Sequence, residues 1–231
     1  MKKFGKKYET AKGTFDAAKY FPLDEAVQLL VTTGTTKFDS TAEIHFHLNA
    51  DPKYADQMVR GTVPLPHGTG KEVRVIAFVS EDKVKEAKDA GAIKAGGADL
   101  IDEVAKGFVA FDIAVATPDL MRDLAKVAKV LGPKGLMPNP KSGTVTTEIG
   151  KTIDELKKGK VEFKTDKFGI VHGIFGKMSF GAEKLTDNLK MYVAAVLAAK
   201  PTGVKGIYVK SLSLASTMGP GIKVDTTTLS K

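Results

Sequence analysis

Two segments of the sequence carry residue types that could do chemistry. The first is Ser211-Leu212-Ser213-Leu214-Ala215-Ser216-Thr217-Met218-Gly219-Pro220-Gly221, which crowds small hydroxyls onto a strand end and a turn. Hydroxyls both donate and accept hydrogen bonds, so they suit ribose 2′-OH groups and phosphate oxygens. Gly219 and Gly221 would let a backbone approach closely. A Ser/Thr-rich turn without function is also common, so alone this pattern is weak. The second segment, Lys129 to Thr146, holds three prolines, three glycines and three lysines with exposed-looking apolar residues between them. Prolines fix φ and glycines free it, so it could be only a rigid loop from helix to strand. A loop this long usually has a function.

Catalytic patterns are weak by comparison. Gly68-Thr69-Gly70-Lys71 is followed by Glu72, so it is not a phosphate-binding Walker loop. No G-x-G-x-x-G follows a strand, and no G-x-S-x-G elbow is present. His45 and His47 share a strand face and could grip a metal, but only Glu43 stands near them in sequence. A polar sheet face explains them better. Glu81-Asp82 and Asp102-Glu103 read as charged helix surfaces. There is no Cys, which excludes a disulfide framework and a thiol nucleophile and fits a reducing compartment. No run approaches 18 apolar residues, so neither a membrane span nor a membrane partner is expected.

The charge is more informative. The 231 residues carry 35 Lys/Arg and 27 Asp/Glu, a net +8, and only Arg60, Arg74 and Arg122 are arginines. Residues 68–159 hold 15 cations and 14 anions, so 20 and 13 fall in the two flanking stretches. An excess of +7 on the flanks suggests a polyanionic partner.

The elements that must position these residues change style along the chain. Leu23, Ala26, Val27, Leu29 and Leu30 recur at helical spacing until Gly34. Thr41 to Leu48 alternates, with Ile44, Phe46 and Leu48 inward and Glu43, His45 and His47 outward. That is a one-sided strand of an antiparallel sheet. From Val73 to about Lys158, short buried strands alternate with helices, which implies a parallel sheet covered on both faces. Thr117-Pro118 has the chemistry of a helix start, and that helix should run to about Leu131. Alternation returns after Gly159, with 160–164 and 169–175 reading as a hairpin. A helix over about 182–199 and strands over 206–214 and 222–225 complete the chain. The expected fold is an α+β split domain, an antiparallel sheet with helices, over 1–67 and 160–231. An α/β domain with a parallel sheet is inserted over 68–159, both crossings being Gly- or Lys-rich.

The sequence resembles the L-one family of large-subunit ribosomal proteins in its bacterial form, over essentially the whole chain. The resemblance rests on Ala116-Thr117-Pro118-Asp119-Leu120-Met121, on Leu131 to Lys141, on Val59 to Gly68, and on Thr217-Met218-Gly219-Pro220. It implies a non-catalytic cytoplasmic protein without cofactors, a monomer when free. It also implies binding to large-subunit (23S) rRNA through the split domain, where the protein forms a mobile stalk beside the exit of deacylated tRNA. Many members also repress their own mRNA by binding its leader. By motif, Lys37, Phe38, Thr41 and Glu43 match one part of the family's RNA surface, and Ser211, Thr217, Met218 and Gly219 match another. Ser213 shares the strand face of Ser211, and Asp166 and Lys167 match the hairpin tip. In this reading the lysines neutralise phosphates, Phe38 packs on ribose or base, and Thr217 hydrogen-bonds RNA. The competing reading is an enzyme acting on a phosphorylated substrate at the carboxyl edge of the α/β domain's sheet.

Overall fold

Alternation in Thr41–Leu48 buries Ala42, Ile44, Phe46 and Leu48 and leaves Glu43, His45 and His47 at least partly exposed. This strand is the second of a four-stranded antiparallel sheet around which both chain ends are built. The computed structural model describes residues 4–54 and 56–227. In chain order the first elements are α1 (Lys6–Lys12), α2 (Leu23–Thr32), β1 (Thr41–Leu48) and β2 (Arg60–Pro64). There follow β3 (Val75–Phe78), α3 (Val84–Asp89), β4 (Lys94–Gly96), α4 (Ala98–Ala105), β5 (Ile113–Ala116), α5 (Met121–Leu124), α6 (Ala128–Leu131) and α7 (Ile149–Lys157). The last are β6 (Lys160–Lys164), β7 (Ile170–Lys177), α8 (Gly181–Ala198), β8 (Val209–Ser216) and β9 (Ile222–Val224). Residues 1–70 with 161–231 form one compact unit and residues 71–160 a second.

In the first unit the strand order is β7-β1-β8-β9. The apolar stripes of α2 (Ala26, Val27, Leu30) and α8 (Leu185, Leu189, Tyr192, Val193, Val196) lie in one core with the inward residues of the sheet. Fully burying a side chain such as Phe46 contributes about 1.5–3 kcal/mol. Its ring stacks on Tyr192 at 6.2 Å, and the Phe163 ring of β6 lies tilted at 5.9 Å from the same Tyr192. Gly173 of β7 is required here, because a Cβ would overlap the Tyr192 hydroxyl.

The expected hairpin over 160–175 exists only at its tip. There Thr165 bridges Val171, and the Asp166 amide donates to the Ile170 carbonyl at 2.8 Å. Beyond the tip the strands diverge, β6 pairing with β2 and β7 with β1. The partner that wins β7 is β1, which offers seven residue pairs through a bulge after Ala42.

The second unit holds a parallel sheet, β4-β3-β5. All four residues of β3 are buried because helices cover both faces. Ile76, Phe78, Ala114 and Ala116 pack with Leu100, Ile101 and Val104 of α4 and with Leu124 and Leu131. Val75, Ala77 and Val115 pack with Ala87 of α3 and Ile149, Ile153 and Leu156 of α7. Two readings change here. The single helix expected up to Leu131 is a series of short α and 3₁₀ turns. Thr117 precedes its first turn, but the hydroxyl makes no cap and is buried without a partner. The apolar residues of the Gly/Pro loop are not exposed either. Leu136 and Met137 pack on the core, and the Asn139 carboxamide oxygen accepts from the Lys141 amide at 2.8 Å.

Candidate nucleic-acid interface

The helices of the first unit cover one face of its sheet, so the other face carries the outward residues of four strands. Register fixes their rows. His45 lies between His172 of β7 and Ser213 of β8, and Ser213 lies beside Lys223 of β9. His47 lies between Ile170 and Ser211, and Glu43 between Ile174 and Ala215. The hydroxyls of Ser211 and Ser213 engage no other described residue. The face is therefore polar at its centre, flanked by the exposed Ile174.

One end of the face is a tightly bonded corner. The Thr41 amide donates to the Thr217 hydroxyl at 3.1 Å, and the Thr217 amide donates to the Thr41 carbonyl at 3.0 Å. The Thr217 hydroxyl also lies 3.4 Å from Glu43 Oε1. Lys177 Nζ donates to Thr41 Oγ1 at 2.9 Å. The turn after β8 closes when the Gly219 amide donates to the Ser216 carbonyl at 2.7 Å. A side chain on Gly219 would overlap Ser216 Oγ, which is buried without a partner. Met218, between them, has φ 68° and is 77% exposed. Among the described residues it is the one non-glycine with positive φ, and such a conformation costs on the order of 1 kcal/mol. The strain and the glycine together hold an apolar side chain out in solvent.

Lys37 and Phe38 lie just before this corner, where the chain enters β1. Both are exposed, Phe38 at 58%. They are held up by their successors: the Asp39 carboxylate accepts from the Ser179 amide and hydroxyl at 3.1 and 2.8 Å. The Ser40 carbonyl accepts from the Met178 amide at 2.9 Å.

Asp166 and Lys167 are not part of this corner. They precede Ile170, at the opposite end of β7 from Lys177, roughly 25 Å away at strand rise. Asp166 Oδ1 accepts from the amides of Phe168 and Ile170, both at 2.8 Å. Desolvation works against the Asp166 carboxylate, but these two donors and the neighbouring His172 hold its pKa below the usual range. The carboxylate is thus committed to shaping the turn. Lys167 is exposed, its ammonium 5.2 Å from the Phe168 ring centroid.

Sequence reasoning passed over Lys177, His172 and Lys223 as members of this face. Their placement depends on register, which no local pattern announces. His45 was visible in the alternation as a metal candidate, but its Nδ1 faces His172 Nδ1 at 2.9 Å. Among the described residues no group of three His, Cys, Asp or Glu could hold a metal ion. No described helix is long and apolar enough to cross a membrane. With the boundaries at 70/71 and 160/161, the first unit holds 19 Lys/Arg and 13 Asp/Glu, the second 16 and 14. The excess is then +6 and +2, still concentrated where the open sheet face lies.

Residues 29–220 match the model of the Ribosomal protein L1p/L10e family. The chain belongs to that family. It is similar to a large ribosomal subunit protein uL1 of Solidesulfovibrio magneticus, 53% identical over all of this chain and 98% of the relative. A second large ribosomal subunit protein uL1, from Syntrophobacter fumaroxidans, is 51% identical over 97% of this chain and 96% of its own. The family match spans β1, β7, β8 and the Thr217 turn of the open face, though not β9, together with the second unit and its Gly/Pro loop.

Proposed function

We propose that this chain is a constituent of the large ribosomal subunit that binds 23S rRNA through the open sheet face of its split unit. The observation that carries this reading is the corner where Thr41, Glu43, Lys177 and Thr217 are locked together beneath an exposed Met218. A preformed corner of hydroxyls, one carboxylate and one ammonium suits an RNA helix read by its shape and 2′-OH groups. Thr41, Glu43, Ser211, Ser213 and Thr217 supply the donors and acceptors. Phe38 and Met218 pack on ribose or base, with Gly219 permitting close approach. Lys37, Lys177 and Lys223 neutralise phosphates. Lys167 contributes at the far end, while Asp166 acts by fixing its turn.

The family membership and the two uL1 relatives support the ribosomal part of the reading. From the same resemblance, the bound protein forms a mobile stalk, assists release of deacylated tRNA at the exit site, and represses its own mRNA by binding the leader. The same family membership supports reading the chain as a binding protein and not an enzyme. Chemical footprinting of the full chain on large-subunit rRNA and on its own leader tests it. A discrete protected region on each, competing with each other, is expected. Protection spread evenly over rRNA, or affinity equal to that for random RNA, would refute it.

A further inference from the structure

We propose that His45 and His172 form a contact site for an RNA phosphodiester, at which one proton is taken up as the nucleic acid docks. The proposal rests on the reading that the open sheet face binds RNA. The two Nδ1 atoms are 2.9 Å apart, and the rings meet edge to face with centroids 5.1 Å apart. Two lone pairs cannot face each other at that distance, so one Nδ1 carries hydrogen and donates to the other. The outer nitrogens both face carboxylates. His45 Nε2 is 3.8 Å from Glu43 Oε2, and His172 Nε2 is 3.6 Å from Asp166 Oδ2.

Counting hydrogens gives the pair's capacity. When both rings are neutral, the one that donates through Nδ1 has a bare Nε2 lone pair facing a carboxylate, an unfavourable arrangement. One added proton on that Nε2 removes it. Both outer nitrogens then carry hydrogen toward a carboxylate, and the Nδ1 hydrogen bond survives. A second added proton would set two N–H groups against each other. The pair therefore holds one positive charge and no more, a coupled titration belonging to both rings.

What keeps that proton off the free protein is half-burial of His45, which lowers its pKa, and the proximity of His172, partly offset by Glu43. The surroundings on each strand can be named. On β1 stand Glu43 and His47. On β7 the flanking residues are Ile170 and Ile174, with Lys177 at the far end and Asp166 and Lys167 at the turn. On β8 stand Ser211, Ser213 and Ala215, with the exposed Lys210 at the bulge next to Ser211, and Lys223 of β9 lies beyond Ser213. No lysine is paired with either histidine, so an imidazolium is the cation available at the centre of the face. An arriving phosphodiester brings the negative charge that draws the proton in. The His45 and His172 side chains are 29% and 56% exposed, and the unpartnered Ser213 hydroxyl adds a neighbouring donor.

The test is calorimetric titration of the full chain with the rRNA fragment it protects, at pH 7, in two buffers of different ionisation enthalpy. Wild type is expected to take up between zero and one proton, and to bind up to about tenfold more tightly per unit fall in pH between 8 and 6. His45→Gln and His172→Gln should each abolish the uptake while the fragment still binds. Wild-type imidazole resonances followed by NMR do not depend on how the variants fold. Those of His45 should titrate at higher pH in the complex than in the free chain. Tight wild-type binding without proton exchange, or uptake that persists in both variants, would overturn the proposal and leave the RNA reading standing. Failure to bind the fragment at any pH would overturn both.

Discussion

Thr41 and Thr217 exchange hydrogen bonds across the end of the sheet, 176 residues apart in sequence, with the Thr217 hydroxyl as one of the acceptors. That hydroxyl is not simply a free donor waiting for RNA. It is part of the frame that fixes the corner, and its proton lies within reach of both the Thr41 carbonyl and Glu43, each at 3.4 Å.

The first prediction follows from that dual role. Thr217→Ala leaves the Thr41 amide without its side-chain acceptor and removes a polar group from the RNA face. It should lower stability and weaken rRNA binding, each by about 1–3 kcal/mol if the stranded group is fully desolvated. Thr217→Ser keeps the hydroxyl and should restore most of both. Denaturant melts and gel shifts on the same preparations decide it. If Ala and Ser behave alike, the hydroxyl is not the operative group.

Met218 gives a prediction in which stability and binding move in opposite directions. Replacing it with Gly relieves the positive φ, and is expected to raise stability by up to about 1 kcal/mol. The same change removes the exposed side chain, so rRNA affinity should fall. A Met218→Gly variant that binds as well as wild type would mean the side chain has no part in the interface.

Inside the core, Gly173 and Tyr192 are coupled. The Tyr192 hydroxyl is buried without a partner, and a Cβ at position 173 would overlap it. Tyr192→Phe removes an unsatisfied polar atom and should be neutral or stabilising. Gly173→Ala should destabilise by more than about 1 kcal/mol, as overpacking does, and by less when combined with Tyr192→Phe. A double-mutant cycle showing no coupling would contradict the packing described.

How much of this was legible in the sequence can be argued from single residues. Ala26, Val27, Leu30, Leu185, Leu189 and Tyr192 fall inside because helical periodicity needs no tertiary knowledge. Glu43 and His45 fall on the open face because strand periodicity is as local. Ile207 shows the limit: alternation from Gly206 turns it inward, yet it is 77% exposed and Tyr208 is buried instead. The strand begins only at Val209, and a bulge between His47 and Leu48 resets the register there. The phenol of Tyr208, buried without a partner, is pushed up to about 12. Lys177 and His172 were illegible for the same reason: which residue faces Thr41 or His45 depends on a bulge in β1–β7 pairing. Thr217 and Met218 stood out by motif, but the positive φ and the bond to Thr41 belong to the folded corner.

In the second unit, Asp112 accepts from Arg74 Nε at 2.9 Å, from Lys71 Nζ at 2.7 Å and from the Arg74 amide at 3.2 Å. The Arg74 guanidinium first, and the Lys71 ammonium after it, hold the carboxyl well below the usual carboxylate range. A depressed folded-state pKa contributes stability that is present above the unfolded value, near 4, and is lost as pH falls through the folded value. Asp112→Asn should therefore lower Tm at pH 7, and the difference from wild type should shrink as pH drops below about 4. A gap that stays constant down to pH 2 would show that the charge is not what Asp112 contributes.

The last prediction concerns the split unit. Its core joins β1, β7, β8 and β9 to α2 and α8, and the second unit's two apolar clusters draw on none of these elements. A chain of residues 1–70 joined to 161–231 through a short Gly/Ser linker should therefore fold cooperatively. It should also bind rRNA specifically, since the Thr41–Thr217 corner, the serine row and the +6 excess all lie within it. Its affinity should fall steeply with salt, because lysines acting as point charges release counterions from the backbone. Discrimination between rRNA and random RNA should persist, because that part rests on hydroxyls and shape. If the joined chain melts cooperatively but binds rRNA no better than random RNA, the specificity lies in residues 71–160, and the open sheet face supplies only attraction.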